Sequence, residues 1–326
     1  MNVLVTGGAG FIGSHLTEAL LEAGHDVVVL DVLDPYYDVG IKEHNLERCQ
    51  EYGDQFTFVE GSITDEETVA DCFADHDVEM VYHQAAQAGV RTSVEEPTKP
   101  HAINTTGLLY LLEAATRHDV ERFVNASSSS VYGHVEYLPY DEAHPNRPRS
   151  PYGVTKLTAE HYCRVWTEIH GLPTVSLRYF TVYGPRMRPN MAITNFVSRC
   201  LHGEPPVIYG DGTQTRDFTY IDDVIEANLQ LLADDAADGE ALNVGSSGTI
   251  TIEALAEHVI RETGVDLEPI YDEPREADAP HTHADVSKAA ALLDYDPSVS
   301  IREGVSSFVE WYRENDEWYD PLVRAS

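Results

Sequence analysis

Lysine is nearly absent from this chain: Lys42, Lys99, Lys156 and Lys288 are the only four in 326 residues. The 21 basic residues face 56 acidic ones, for a formal net charge of −35. So acidic a surface repels nucleic acid and anionic membranes, which argues against both as partners. Solubility alone needs a net charge of only about 2–8. The expectation is therefore a salt-rich cytoplasm, where molar salt shortens the Debye length to about 3 Å, and a fold that loosens when salt is withdrawn. Cysteine is scarce too. Cys49, Cys72, Cys163 and Cys200 form no CxxC and no Cys/His ligand spacing, so neither a metal site nor a disulfide framework is expected. No run of 18 apolar residues exists, which excludes a membrane-spanning helix. A strand pattern opens at Asn2 without a signal-peptide pattern before it, and a cytoplasmic location is expected.

What is present is a well-supplied core and a regular alternation. Hydrophobic residues make up 42% of the chain, enough for a sizeable interior. Short apolar runs at 3–6, 27–30, 56–59, 80–83, 123–126 and 174–178 predict buried parallel strands. Helical periodicity falls between them at 11–22, 66–74, 104–117 and 152–169. This alternation predicts an α/β fold with a Rossmann-type, doubly wound parallel sheet. Beyond Gly184 the pattern is less regular, with helices predicted at 193–202, 221–233, 252–263 and 301–314. The chain therefore divides into a dinucleotide-binding unit, 1–184, and a smaller α/β substrate lobe, 185–326, with some elements exchanged between them.

The first strand runs into Gly7-Gly8-Ala9-Gly10-Phe11-Ile12-Gly13 and then a helix. Glycine at 7, 10 and 13 suits a tight turn and close approach of backbone to a pyrophosphate, and the helix start offers free N–H groups. Asp31 closes the second strand. A carboxylate there accepts hydrogen bonds from ribose hydroxyls and repels a 2′-phosphate, so NAD is favoured over NADP.

Tyr152 and Lys156 stand at i and i+4 on one predicted helix face. A free tyrosine has a pKa of about 10. Bringing it to about 7 takes roughly 4 kcal/mol. A positive charge at about 4 Å supplies on the order of 4 kcal/mol at an effective dielectric near 20. Lys156 together with an oxidised nicotinamide could thus make Tyr152 a base, although Tyr–Lys pairs are also common on exposed helices. Upstream, Ser127-Ser128-Ser129-Ser130 follow a strand end, where hydroxyls face the ligand crevice.

TGGAGFIG at 6–13, SSSSVYG at 127–133, YGVTK at 152–156, RYFTVYGPRMRP at 178–189 and DGTQTRDFTYIDD at 211–223 together resemble the extended short-chain dehydrogenase/reductase family. The resemblance spans essentially the whole chain and points to its NAD-dependent nucleotide-sugar epimerases, with UDP-glucuronate and UDP-glucose 4-epimerases the nearest in look. It implies roles by position. Tyr152 is the base and also lies against NAD, Lys156 is its electrostatic partner and a nicotinamide-ribose ligand, and Ser128 hydrogen-bonds the reacting oxygen. Phe11 and Ile12 of the glycine loop, Ala85, Ala86, Asn104 and Tyr179 lie against NAD. Ser129, Ser130 and Thr181 line the sugar, Arg216 and Arg275 hold the diphosphate, and Asp278 the uridine ribose. The reaction implied is C4 epimerisation through a transient 4-keto sugar, with NAD retained. A dimer through 104–117 and 152–169 is also implied.

Two departures stand out. Ser62 follows Gly61 where the family often has aspartate, and Arg275-Glu276-Ala277-Asp278 replaces Arg-x-Gly-Asp. Dehydratases of the family carry an Asp-Glu pair, and decarboxylases a glutamate, where this chain has Ser129 and Ser130. Tyr36-Tyr37-Asp38, Ala85–Arg91 and Thr181–Pro185 resemble the glucuronate enzymes. A sugar carboxylate needs a cation or several donors, and Arg188 is the candidate, with the serines. A UDP-glucose epimerase, a net nucleotide-sugar dehydrogenase or reductase and a non-catalytic NAD sensor are the competing readings.

Overall fold

In the computed structural model, residues 1–233, 235–246, 248–274 and 279–326 are described. Seven strands form one parallel sheet: β1 (Asn2–Thr6), β2 (Asp26–Asp31), β3 (Phe56–Glu60), β4 (Met80–His83), β5 (Arg122–Ser128), β6 (Thr174–Tyr179) and β7 (Ala241–Val244). Their spatial order is β7-β6-β5-β4-β1-β2-β3. The order reverses between β1 and β4, and a parallel sheet opens a crevice at such a reversal, outside the carboxyl ends of its strands. The strands read as apolar runs because both faces are covered: Val3, Val5, Val27 and Val29 face one layer of helices, Leu4, Val28 and Val81 the other.

The helix Phe11–Glu22 and the later helices Ile252–Thr263 and Ile301–Glu314 have the predicted bounds. Ser300 and Glu303 close the last of these with a reciprocal capping box. The predicted helix 104–117 differs. Ala102–Gly107 is a π-helical turn, and regular α-helix begins only at Leu108. Such turns insert one residue per turn and are frequent at functional sites.

The second half of the chain builds on the first. Its strand β7 extends the sheet beside β6, and its helix Ile221–Gln230 packs on Phe11–Glu22. Three two-stranded ribbons carry the rest of the lobe: Thr181–Tyr183 with Phe218–Tyr220, Thr215–Arg216 with Ile250–Thr251, and Val207–Tyr209 with Ile270–Asp272. A single hydrophobic core runs from Val3 in β1 to Val323 in the final helix, Asp316–Ala325. That helix returns to the first unit, stacking Trp318 on His44 with ring centroids 3.7 Å apart. Among the described residues, no helix is long and apolar enough to cross a membrane.

Candidate active site

One cleft of about 1920 Å³ opens along the carboxyl ends of β1, β2, β4, β5 and β6 and continues over the second lobe. Its size is well beyond the roughly 300–1,000 Å³ of a single small-ligand pocket.

The glycine loop forms one end. Gly7 has φ +71°, and a Cβ there would lie 2.6 Å from the Ala85 nitrogen. A Cβ on Gly13 would lie 2.2 Å from the Gly7 carbonyl oxygen, so a side chain at Gly7 would push the loop off the 84–85 backbone and one at Gly13 would push it off its helix. Gly10 precedes the helix Phe11–Glu22 and gives it no side-chain cap, which leaves the first N–H groups for a ligand phosphate. Asp31 is 8% exposed at the end of β2. Its carboxylate accepts from the Ala9 nitrogen at 3.2 Å and the Leu33 nitrogen at 2.9 Å, so it also braces the loop. These features fit a dinucleotide: a cradle without side chains, a helix start and a carboxylate beyond it. Lys42 also reaches this end and was not anticipated. Its Nζ donates to the Asp34 carbonyl at 2.9 Å, and burial lowers its pKa.

Ala85, Ala86 and the Tyr179 ring line the middle of the cleft. The Tyr179 hydroxyl is occupied by Gln84 Nε2 at 3.1 Å and by Asn228. Asn104 does not line the cleft, contrary to expectation. It is 1% exposed, accepts from the Gln87 nitrogen at 2.8 Å, and donates to the Gln87 carbonyl and to Thr155 Oγ1. The π-helical turn aims this amide at the backbone of the 84–89 loop, so Asn104 supports the wall rather than forming it.

The helix Pro151–His170 brings Tyr152 and Lys156 to the cleft. Ser150 caps it by accepting from the Gly153 nitrogen, and Pro151 opens it. A Cβ on Gly153 would meet the Ser130 carbonyl at 2.5 Å, so glycine lets the helix lie directly against the serine row. Ser128, Ser129 and Ser130 face the cleft where β5 turns, and Ser128 Oγ accepts from the Ser130 nitrogen at 3.1 Å.

The expected electrostatics of the tyrosine differ here. Burial raises the Tyr152 pKa, and a hydrogen bond with Ser128 and the positive charge of Arg188 pull against it. The Lys156 Nζ donates to the Ala126 carbonyl at 2.6 Å, and burial brings its own pKa down to about 8, with Cys163 and Glu160 opposing. A phenol raised by burial needs further positive charge before it can act as a base, so the protein alone leaves Tyr152 protonated at neutral pH.

Thr181, Arg188 and Arg216 line the far part of the cleft. Arg216 donates to the Thr215 and Pro280 carbonyls. Arg188 lies over the Tyr36 ring, 5.9 Å from its centroid, and donates to Met191 Sδ at 3.6 Å. Among the described residues no carboxylate comes within ion-pair distance of Arg188. Tyr36 and Met191 were the unforeseen parts of this corner. The expected diphosphate and ribose ligands Arg275 and Asp278 lie outside the described residues.

Residues 4–308 match the family model described as GDP-mannose 4,6 dehydratase. A UDP-glucuronate 4-epimerase of Thermodesulfobacterium geofontis is 38% identical over 315 residues, covering 96% of this chain and 97% of that protein. The UDP-glucuronic acid 4-epimerase of Bacillus cereus, solved with UDP-glucuronic acid and NAD, superposes with a TM-score of 0.90 at 37% identity, covering 96% and 99% of the two chains. The UDP-glucose 4-epimerase of Thermotoga maritima, solved with UDP-glucose, gives 0.90 at 38% identity, covering 97% and 99%. Glycine cradle, serine row and Tyr–Lys helix thus sit in a chain that belongs to the GDP-mannose 4,6-dehydratase-type branch of the extended short-chain dehydrogenase/reductase family.

Proposed function

We propose that this protein is an NAD-dependent UDP-sugar 4-epimerase and that it interconverts UDP-glucuronate and UDP-galacturonate. The epimerase reading is supported by relatives that cover almost the whole chain and by the side chains around Tyr152. Ser129 and Ser130 supply hydroxyls where elimination would need a carboxylic acid and a base, so the site holds a sugar without protonating a leaving group. Tyr152 takes the proton of the sugar C4 hydroxyl and returns it, with Ser128 bonded to the same oxygen. Lys156, anchored on Ala126, supplies positive charge beneath them. Bound NAD supplies the hydride acceptor and donor for C4. Thr181 and the serines line the sugar, Arg216 meets the diphosphate, and Arg275 and Asp278 are the proposed partners of diphosphate and ribose from the segment outside the described residues.

The uronate reading rests on Arg188. In a chain with 56 acidic residues, an arginine in the cleft with no carboxylate partner among the described residues is the natural seat for an anionic ligand group. UDP-glucose and UDP-galactose are the second reading, favoured by the similarity to the Thermotoga enzyme. Replacing Arg188 by Ala separates the two. The uronate reading predicts a rise of about tenfold or more in KM for UDP-glucuronate, the loss of a charged hydrogen-bonded pair, with KM for UDP-glucose little changed. Equal effects on both sugars contradict the contact.

The charge of −35 supports a salt-rich cytoplasm as the working environment. The helices Leu108–Arg117 and Pro151–His170 are the proposed dimer seam, on which Ile169 and Val154 are exposed at 70% and 50%.

A further inference from the structure

The face of Pro151–His170 that carries Tyr152 and Lys156 carries a third polar group one turn on. Glu160 is buried, and accepts from Arg178 Nε at 2.9 Å and Nη2 at 2.7 Å, in a two-bond fork. It also accepts from the Ser127 hydroxyl. Arg178, on β6 and itself 4% exposed, donates its remaining terminal nitrogen to the Tyr132 hydroxyl at 2.9 Å. A buried ion pair is weak evidence for stability, because desolvation offsets most of its attraction. Its position gives another reason for it.

Ser127 lies between the two groups that serve the reaction. Ala126 before it accepts from Lys156 Nζ, and Ser128 after it bonds Tyr152. The carboxylate of Glu160 therefore holds the strand end on which both attachments depend. Charge follows the same geometry. The groups acting on the Lys156 ammonium are Glu160 and Cys163 on its own helix, His83 from β4 and the Ala126 carbonyl from β5. Burial pushes Cys163 up to about 12 and His83 down to about 3, so both are uncharged at neutral pH. Glu160 is left as the charged neighbour, and Arg178 offsets it from the far side.

We propose that Glu160 and Arg178 are positioning residues for the reaction, acting through Ser127 and Lys156: the pair locks the end of β5 to the catalytic helix and sets how firmly Lys156 keeps its proton. This rests on the roles proposed above for Tyr152 and Lys156.

The test uses the whole protein labelled with ε-¹³C-lysine. Four lysines give four cross-peaks, and Lys156→Met assigns the one that matters. Glu160→Gln keeps shape, removes the anion and leaves the Arg178 cation, so the Lys156 midpoint is expected to fall by about one pH unit. Arg178→Met leaves the anion, so the midpoint is expected to rise. The double variant removes both charges and is expected to return close to the wild-type midpoint. The alkaline limb of kcat follows in the same directions, with KM for the UDP-sugar within about twofold, a change under 0.5 kcal/mol. A purely structural role predicts lower activity in all three and no reversal of sign. Unmoved midpoints, or shifts of one sign in both single variants, overturn the charge-setting role. Ser127→Ala breaks the anchor without altering charge and carries the test if a single variant fails to fold. Its kcat is expected to fall about tenfold with the Lys156 midpoint in place, about 1.4 kcal/mol, and an unchanged kcat overturns the positioning role. Full activity of Lys156→Met would instead refute the role given to Lys156 itself, while leaving the titration shifts interpretable.

Discussion

His83 ends β4 beneath the cleft and shows how burial fixes charge in this site. It is 1% exposed, shares a 2.7 Å hydrogen bond with Thr6 Oγ1, and has its pKa lowered to about 3 by burial, with Lys156 acting in the same direction. Above pH 6.5 the imidazole is neutral both folded and unfolded, and contributes no pH dependence. As pH falls from 6.5 towards 3, the unfolded chain takes up a proton that the folded one does not, so stability is lost on the acid side. His83→Gln is expected to reduce the slope of unfolding free energy against pH by about one proton between pH 6 and 4. Denaturant titrations at several pH values measure it, and an unchanged slope would show that His83 does not stay neutral in the fold. At this scale the sequence told residue types but not contacts. Tyr152, Lys156 and Ser128 were legible from spacing and resemblance, and all reach the cleft. Asn104 was not, because only the π-helical turn decides that its amide meets Gln87. Nor was the Lys156–Ala126 bond, since a carbonyl acceptor leaves no trace in residue identity.

Between elements, the distance that matters is that of the catalytic helix from the serine row. Gly153 sets it, since any Cβ there would lie 2.5 Å from the Ser130 carbonyl. Gly153→Ala is expected to displace Tyr152 from Ser128 and lower kcat by about 10²-fold, the effect of a small misplacement of reacting groups. NAD content should be unchanged, because the glycine cradle is remote from the substitution. Full activity with alanine in place would mean that the two elements can part without consequence. Most elements were legible because apolar runs of four to six and helical stripes of three turns are strong signals. Val39–Gln50 was missed: its sequence VGIKEHNLERCQ buries only a narrow stripe, including Ile41, Leu46 and Cys49, among charged residues. β7 was missed because ALNV is four residues with a polar one inside, and it is a strand only through its pairing with β6.

At the scale of the whole molecule, sheet and lobe share one core, so the cleft between them has walls from both halves of the chain. The last helix reinforces this. Tyr319 donates to the Met187 carbonyl, next to Arg188 of the cleft wall, while Ser198 Oγ and the Tyr312 hydroxyl both donate to Asp320 of the same helix. The core is continuous across residue 184. The central claim concerns what happens in that cleft, and proton NMR tests it most directly. The protein would be incubated in molar KCl with UDP-glucuronate and, separately, with UDP-glucose, without added NAD. The account predicts that UDP-galacturonate appears from the first, with no net change in redox state, and that UDP-glucose turns over slowly or not at all. No C4 inversion of either sugar, even after NAD is supplied, would contradict it.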